Sequence, residues 1–352
     1  MNVSIMQKAA SQFGLGDPLI DSFGTGLINQ SYKVSYADGK KLLLQCINQA
    51  TFSQPENIIY NYRLISEQLV SGKTPLPTLS LTRNGKFFWI DESGNFWRAT
   101  RFIENSYADS TPGSATKVFL AAKCFAEFSA SLNNLDPEKL EIIIPGFHDL
   151  AHRYGQFEQA IKSAAIKRLL KATHVISSLR ERYNLVEFYL SVKNDRENFP
   201  VRIMHHDCKI SNILFDSMTH QVICPVDLDT VMPGRFYSDI GDMIRTMACT
   251  REENSTEWEQ IDIVPDYYFA ITDGYTEGCG QTLTRNEMQN IHYAGQMLIY
   301  MQCLRFVTDF LNNDIYYKTN YPEQNLNRAL NQLILLEKLE TFLEERKLQQ
   351  PN

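Results

Sequence analysis

The stretch His205-His-Asp-Cys-Lys-Ile-Ser-Asn212 sets a carboxylate, an amine and a side-chain amide within one short segment, and Asp227-Leu-Asp229 follows soon after. Hard oxygen donors of this kind suit Mg2+, which takes one or two carboxylates together with phosphate oxygens. Asp207, five residues before Asn212, suits a base that orients a hydroxyl nucleophile. Lys209 can steady a transferring phosphoryl group or pair with Asp207. Any one of these aspartates, taken singly, more often marks a turn or a strand end. Their combination is what points to phosphoryl transfer.

These residues need an element that gathers them. Residues 201–216 begin and end as strand, and residues 221–229 read as another strand. The link Asp216-Ser-Met-Thr-His220 is short enough for a hairpin. Pairing the two strands is expected to bring Asn212 and Asp227 to one end, with Asp207 in the loop just before and Asp229 beside them.

The pattern His-x-Asp-x-Lys-x-x-Asn, a hairpin, then Asp-x-Asp resembles the catalytic and metal loops of the protein-kinase-like superfamily. In particular it resembles the aminoglycoside phosphotransferase and choline kinase branch. Several phrases are similar to N-acetylhexosamine 1-kinases: Val226-Asp-Leu-Asp-Thr-Val-Met-Pro-Gly234, Ser238-Asp-Ile-Gly-Asp-Met-Ile-Arg245, Leu44-Gln-Cys-Ile-Asn48, Pro145-Gly-Phe-His-Asp149 and Arg305-Phe-Val-Thr-Asp309. The likeness runs from about Phe23 to about Tyr317. It implies an ATP- and Mg2+-dependent kinase of a sugar, acting on the anomeric hydroxyl. Asp207 is then the base, Asn212 and Asp227 hold Mg2+ with help from Asp229, and His205 braces the loop. Asp239 and Asp242 cap backbone groups around it. Arg245 either contacts substrate or pairs with Asp242.

The same likeness assigns the nucleotide side. Gly24-x-Gly26-x-x-Asn29 lies between strand-like segments, where glycines let backbone N–H groups approach phosphates closely. The next strand should supply a lysine to the phosphates, but the matching position is Gln45, which brings no charge. Gln45 is equally read as a plain residue of an edge strand. Glu56 and Glu67 are the candidates for the acidic partner on the following helix. Phe102-Ile-Glu104 is the expected interlobe hinge, where adenine meets backbone groups. On the acceptor side stand His148, Asp149 and Arg153, with Arg305 and Asp309, which are four apart and can also simply pair with each other. Phe147, Tyr237 and Phe306 either line that pocket or fill the core.

The rest of the chain supplies the frame. Residues 19–46 read as strands around an Asp38-Gly39 turn, residues 55–70 as a helix, and residues 87–103 as a second hairpin turning at 93–95. After a polar connector, helices are expected over 116–132, 156–183, 285–312 and 326–346. The expected fold is α+β and bilobal: residues 1–104 form a small antiparallel β lobe with one helix, and residues 105–352 a larger, mainly helical lobe.

Composition narrows the function. With 352 residues, 43% hydrophobic and 21% charged, the chain is ordinary for a globular protein and long enough for two domains. A net charge of -7 argues against a nucleic-acid surface. Seven widely spaced cysteines without a Cys-x-x-Cys pair argue against a disulfide framework or a zinc site. No apolar run is long enough to span a membrane, and a cytoplasmic monomer or homodimer is expected. Two other readings stand beside the sugar kinase. One keeps the fold but takes choline, an amino acid or an aminoglycoside as acceptor. The other is a non-catalytic nucleotide-binding module, motivated by Gln45.

Overall fold

Strands β1 (Leu19–Ser22), β2 (Gln30–Ser35), β3 (Lys41–Ile47), β4 (Phe88–Ile90) and β5 (Phe96–Arg101) pair antiparallel in the order β1-β2-β3-β5-β4. Period-two alternation sorts their side chains onto two faces. Tyr32, Val34, Leu42, Leu44, Trp97 and Ala99 form a buried cluster with Ala9, Ala10 and Phe13 of helix α1 (Val3–Phe13). Gln45 and Arg98, which alternate with these residues, belong to the opposite face. Helix α2 (Pro55–Leu69) buries Ile58, Ile59, Tyr62 and Ile65 at helical spacing. The computed structural model describes residues 3–24, 28–69 and 75–348.

The chain divides into two units. The first comprises Met1–Tyr107, Asn134–Ile144 and Leu214–Met232, and the second the remaining segments, Ala108–Asn133, Pro145–Ile213 and Pro233–Asn352. The chain therefore leaves the first unit near the polar connector and returns to it twice. That unit carries α1 as well as α2, where the sequence reading has a single helix. It also holds the expected hairpin. Strands Ile213–Asp216 and Val222–Pro225 pair, and β6 (Ser106–Tyr107) adds to the first of them, with Ser106 opposite Asp216 and Tyr107 opposite Phe215. The Asp216 carboxylate caps the turn by accepting the N–H groups of Met218 and Thr219.

The second unit is helical. Its longer helices are α3 (Ala115–Ser131), α4 (Leu150–Ser163), α5 (Ile166–Glu181), α6 (Asn184–Asn194), α7 (Tyr237–Met247) and α8 (Pro265–Cys279). The short α9 (Arg285–Gln289) leads into α10 (Ile291–Leu311) and α11 (Gln324–Glu345). Helix α10 is apolar on nearly all sides and buried, as a central helix must be; α4, α7 and α11 pack on it. The single helix expected over 156–183 is two, broken where Ala164 and Ala165 turn extended. Nothing in local propensity ends a helix at two alanines, so packing decides: α5 lies on α10 and α11, and α4 on α6 and α10. Gly241 of α7 fits against the carbonyl of Ala294 on α10, where a Cβ would stand only 2.4 Å away. That close approach fixes the helix that carries Asp239 and Asp242. No helix of the described residues is long and apolar enough to cross a membrane, and the seven cysteines are free thiols, six of them buried.

Candidate active site

The strand Arg202–Met204 ends at His205, and the chain then runs through a buried loop whose backbone N–H groups need acceptors. Helix α7 provides them. The two oxygens of Asp239 accept the N–H groups of His205 and His206 at 3.0 and 2.8 Å, and Asp242 accepts that of Cys208 at 2.8 Å. Burial, reinforced by Asp242, pushes the Asp239 carboxyl up to about 6 against the pull of the N–H groups it accepts. His205 is fully buried with Phe125 and Phe128 presenting edges to its ring, and its Nδ1 accepts the N–H of Asp207 at 3.3 Å. His206 takes a left-handed backbone, φ 66°, which is strained for a side-chain-bearing residue and turns the chain just before Asp207.

Asp207 is the focus of this loop. Its Oδ2 accepts from Lys209 Nζ at 2.9 Å and from Asn212 Nδ2 at 2.8 Å, and the same Asn212 nitrogen reaches the Asp207 carbonyl at 2.9 Å. Burial disfavours the charge on Asp207, but Lys209, His205 and Asn212 outweigh it and hold the carboxyl below its ordinary range. Asp207 is an anion at neutral pH, braced through one oxygen.

The structure brings His148 to this loop. Its Nδ1 lies 3.3 Å from Nδ1 of His206, and Phe147 stacks on its ring at 4.5 Å. Burial pushes His148 well below the ordinary histidine range, and His206, Arg305, Arg245 and Arg153 push it the same way. Arg305 lies over the rings of Phe147 and Tyr317 and donates to Gln302. It does not pair with Asp309, whose oxygens accept the N–H groups of Tyr316 and Tyr317. Arg153 donates to Gln156 and to the Phe147 carbonyl, while its buried Nε has no hydrogen-bond partner. Asp149 caps α4 and pairs with Lys193. Arg245 is committed to Asp242 and Glu253. Tyr237 and Phe306 are core residues.

The first unit holds the other sequence-derived residues. Gly24 has φ 76°, and Gly26 lies outside the described residues. Beside Gly24, Phe23 meets the edge of Phe102 at 5.2 Å, and Glu104 pairs with Lys41. Asn29 links two segments, accepting the N–H of Asn48 and donating to Asp229 Oδ2 at 2.6 Å. The other Asp229 oxygen lies 2.5 Å from Nη2 of Arg98, in charge contact but without the alignment of a hydrogen bond. Gln45 Oε1 accepts from Nε and Nη2 of that arginine, and its amide nitrogen donates to Ser31. Asp229 is thus enclosed by Asn29 and Arg98. Asp227, just past the hairpin, has φ 62°. Glu56 and Glu67 are exposed, the latter paired with Arg63. Arg98 is absent from the sequence reading. Its signal is a charge set inside the otherwise apolar run Phe96-Trp-Arg-Ala99.

The model of the phosphotransferase enzyme family APH matches residues 20–265 of the chain. The chain belongs to this family. Solved structures share its fold: an aminoglycoside phosphotransferase from Alicyclobacillus acidocaldarius (TM-score 0.66, 14% identity, 97% of this chain and 96% of that one) and a microcompartment-associated aminopropanol kinase (0.64, 16%, 99% and 99%). An amicoumacin kinase in complex with AMP-PNP, Ca2+ and Ami is a third (0.61, 10%, 95% and 93%). This APH-family member is accordingly a small-molecule phosphotransferase by family. Among its described residues, no group of three or more His, Cys, Asp and Glu gathers as a metal cage. A magnesium ion carried on phosphates needs only one or two protein ligands; Asp227 in the first unit and Asn212 in the second each carry a hard oxygen donor of the fitting type.

Proposed function

We propose that the chain is an ATP- and Mg2+-dependent kinase of a sugar, transferring the terminal phosphoryl group to the anomeric hydroxyl of a hexose or N-acetylhexosamine. Asp207 takes the hydroxyl proton on its carboxylate, whose Oδ2 is braced by Lys209 and Asn212. Lys209 keeps the carboxylate ionised and screens the transferring group. Asn212 and Asp227 are the proposed metal ligands; a magnesium ion, when bound, would supply positive charge to the phosphates. Gly24, Gly26 and Asn29 are proposed to cover the phosphates, and Phe102 to Glu104 to border the adenine.

The acceptor class rests on one observation. Beside the loop of Asp207, the guanidinium groups of Arg305 and Arg153 both press on His148. An amino alcohol or aminoglycoside would meet like charge there, whereas hydroxyl and carbonyl oxygens of a neutral sugar accept from Arg153, Arg305 and His148. The experiment is ADP release with Mg-ATP over a panel of hexoses and N-acetylhexosamines, choline, aminopropanol and kanamycin, with 31P NMR to fix the phosphorylated position. Turnover confined to sugars with a 1-phosphate product supports the reading. Turnover confined to the cationic acceptors overturns it.

A further inference from the structure

We propose that Arg98 provides the positive charge for the nucleotide phosphates that the strand residue Gln45 lacks. The inference rests on the kinase reading above and concerns its phosphate side. Strands β3 and β5 pair with Gln45 directly opposite Arg98, so both side chains leave the sheet on the same face. Gln45 is not placed to grip phosphate itself. Its carbonyl oxygen is held by Nε and Nη2 of Arg98, at 3.1 and 2.9 Å, and its amide nitrogen by Ser31 at 3.1 Å. The glutamine orients the arginine, and the charge has moved one strand over.

The surroundings of Arg98 match a phosphate-binding cation in three respects. It is 2% exposed, and its Nη2 stands 2.5 Å from Asp229, an acidic partner that orients it as the helix glutamate orients the lysine in a protein kinase. Asp229 is tied in turn to Asn29, the last residue of the Gly24-to-Asn29 segment. And Nη1 is buried with no hydrogen-bond partner, an arrangement that a charged group keeps only at a cost unless a ligand completes it. The other described cations of the sheet are engaged elsewhere or exposed: Lys33 lies over Phe102, Lys40 donates to the Phe13 carbonyl, Lys41 pairs with Glu104, and Arg101 faces solvent. An anionic oxygen of a nucleoside triphosphate is the ligand class that Nη1 selects.

The test is calorimetric titration of Mg-ATP and of adenosine into the wild type, Arg98→Gln, Arg98→Lys and the double variant Gln45→Lys/Arg98→Gln. The wild type is expected to prefer ATP. Arg98→Gln should weaken ATP roughly 10- to 100-fold and leave adenosine unchanged. The double variant, which returns a cation to the strand position, should recover much of the loss. If Arg98→Gln does not fold, Arg98→Lys retains a charge for Asp229 but loses the fork, and a several-fold loss confined to ATP is expected. ATP preference undiminished in the folded Arg98 variants overturns the inference alone. A wild type that binds ATP no better than adenosine overturns the kinase reading and this inference together.

Discussion

Asn212 donates through one nitrogen both to the carboxylate of Asp207 and to that residue's own carbonyl, at 2.8 and 2.9 Å. One side chain therefore sets the rotamer of Asp207 and closes the turn between them. Replacing the acid by its isostere, Asp207→Asn, keeps the volume and removes the proposed proton acceptor. Acceptor-dependent turnover is expected to fall roughly 10²- to 10⁴-fold, with ATP affinity by titration nearly unchanged. Unaltered turnover would remove Asp207 from the mechanism.

Asp239 sets a pH dependence of opposite sign for stability and for activity. Its carboxyl is pushed up to about 6 by burial in the fold, against about 4 for an aspartate in an unfolded chain. The folded protein thus binds this proton more tightly than the unfolded chain does. The resulting stabilisation is complete below about pH 4 and is lost as pH rises through 6. Protonation, however, removes acceptor capacity from the group that holds the N–H groups of His205 and His206. Turnover should therefore decline on an acid limb near pH 6 while the fold persists by circular dichroism. A limb appearing only below pH 4 would assign it to Asp207, whose carboxyl is held low.

The loop and its hairpin were legible in the sequence because their chemistry is local. Asp207 and Asn212 are five residues apart, and the Asp216–His220 turn carries its own cap in Asp216. The sheet hairpins and α2 were legible through alternation and helical spacing. What escaped depends on contacts far along the chain. Arg98 meets Gln45 across 53 residues and Asp229 through an ion pair, and no window on the sequence contains all three. Arg305 and Asp309 share helical spacing, yet Asp309 is taken by backbone N–H groups of residues 316 and 317, and the aromatic rings take Arg305. The return of residues 134–144 and 214–232 to the first unit is likewise a matter of packing, with Asn61 donating to the carbonyls of Glu141 and Val231.

The strand that leads into the loop of Asp207 is anchored by a buried fork. Arg202 donates from Nε and Nη2 to the two oxygens of Glu287, at 2.9 and 2.6 Å, and Glu287 is fully buried. Glu287 also completes the capping box of α9 with Thr284. Glu287→Gln leaves the guanidinium without its counter-charge, and such a break typically costs about 3–5 kcal/mol. Urea unfolding should show a loss of this order with unchanged m-value. A loss under 1 kcal/mol would mean that solvent reaches Arg202 in the folded protein.

Gly234 offers a way to disturb the loop without touching a charged group. A Cβ there would stand 2.5 Å from Cε1 and 2.7 Å from Nε2 of His206, the strained residue just before Asp207. His206 is buried and held against His148 and Phe147, so its ring has little room to yield. Gly234→Ala is expected to cost about 1–3 kcal/mol of stability, the range for overpacking, and to lower turnover by shifting Asp207. The double variant Gly234→Ala/His206→Ala removes the colliding ring. If steric displacement is the cause, its stability should exceed the sum expected from the two single variants, a coupling readable in a double-mutant cycle. Strict additivity would show that the alanine acts elsewhere than on His206.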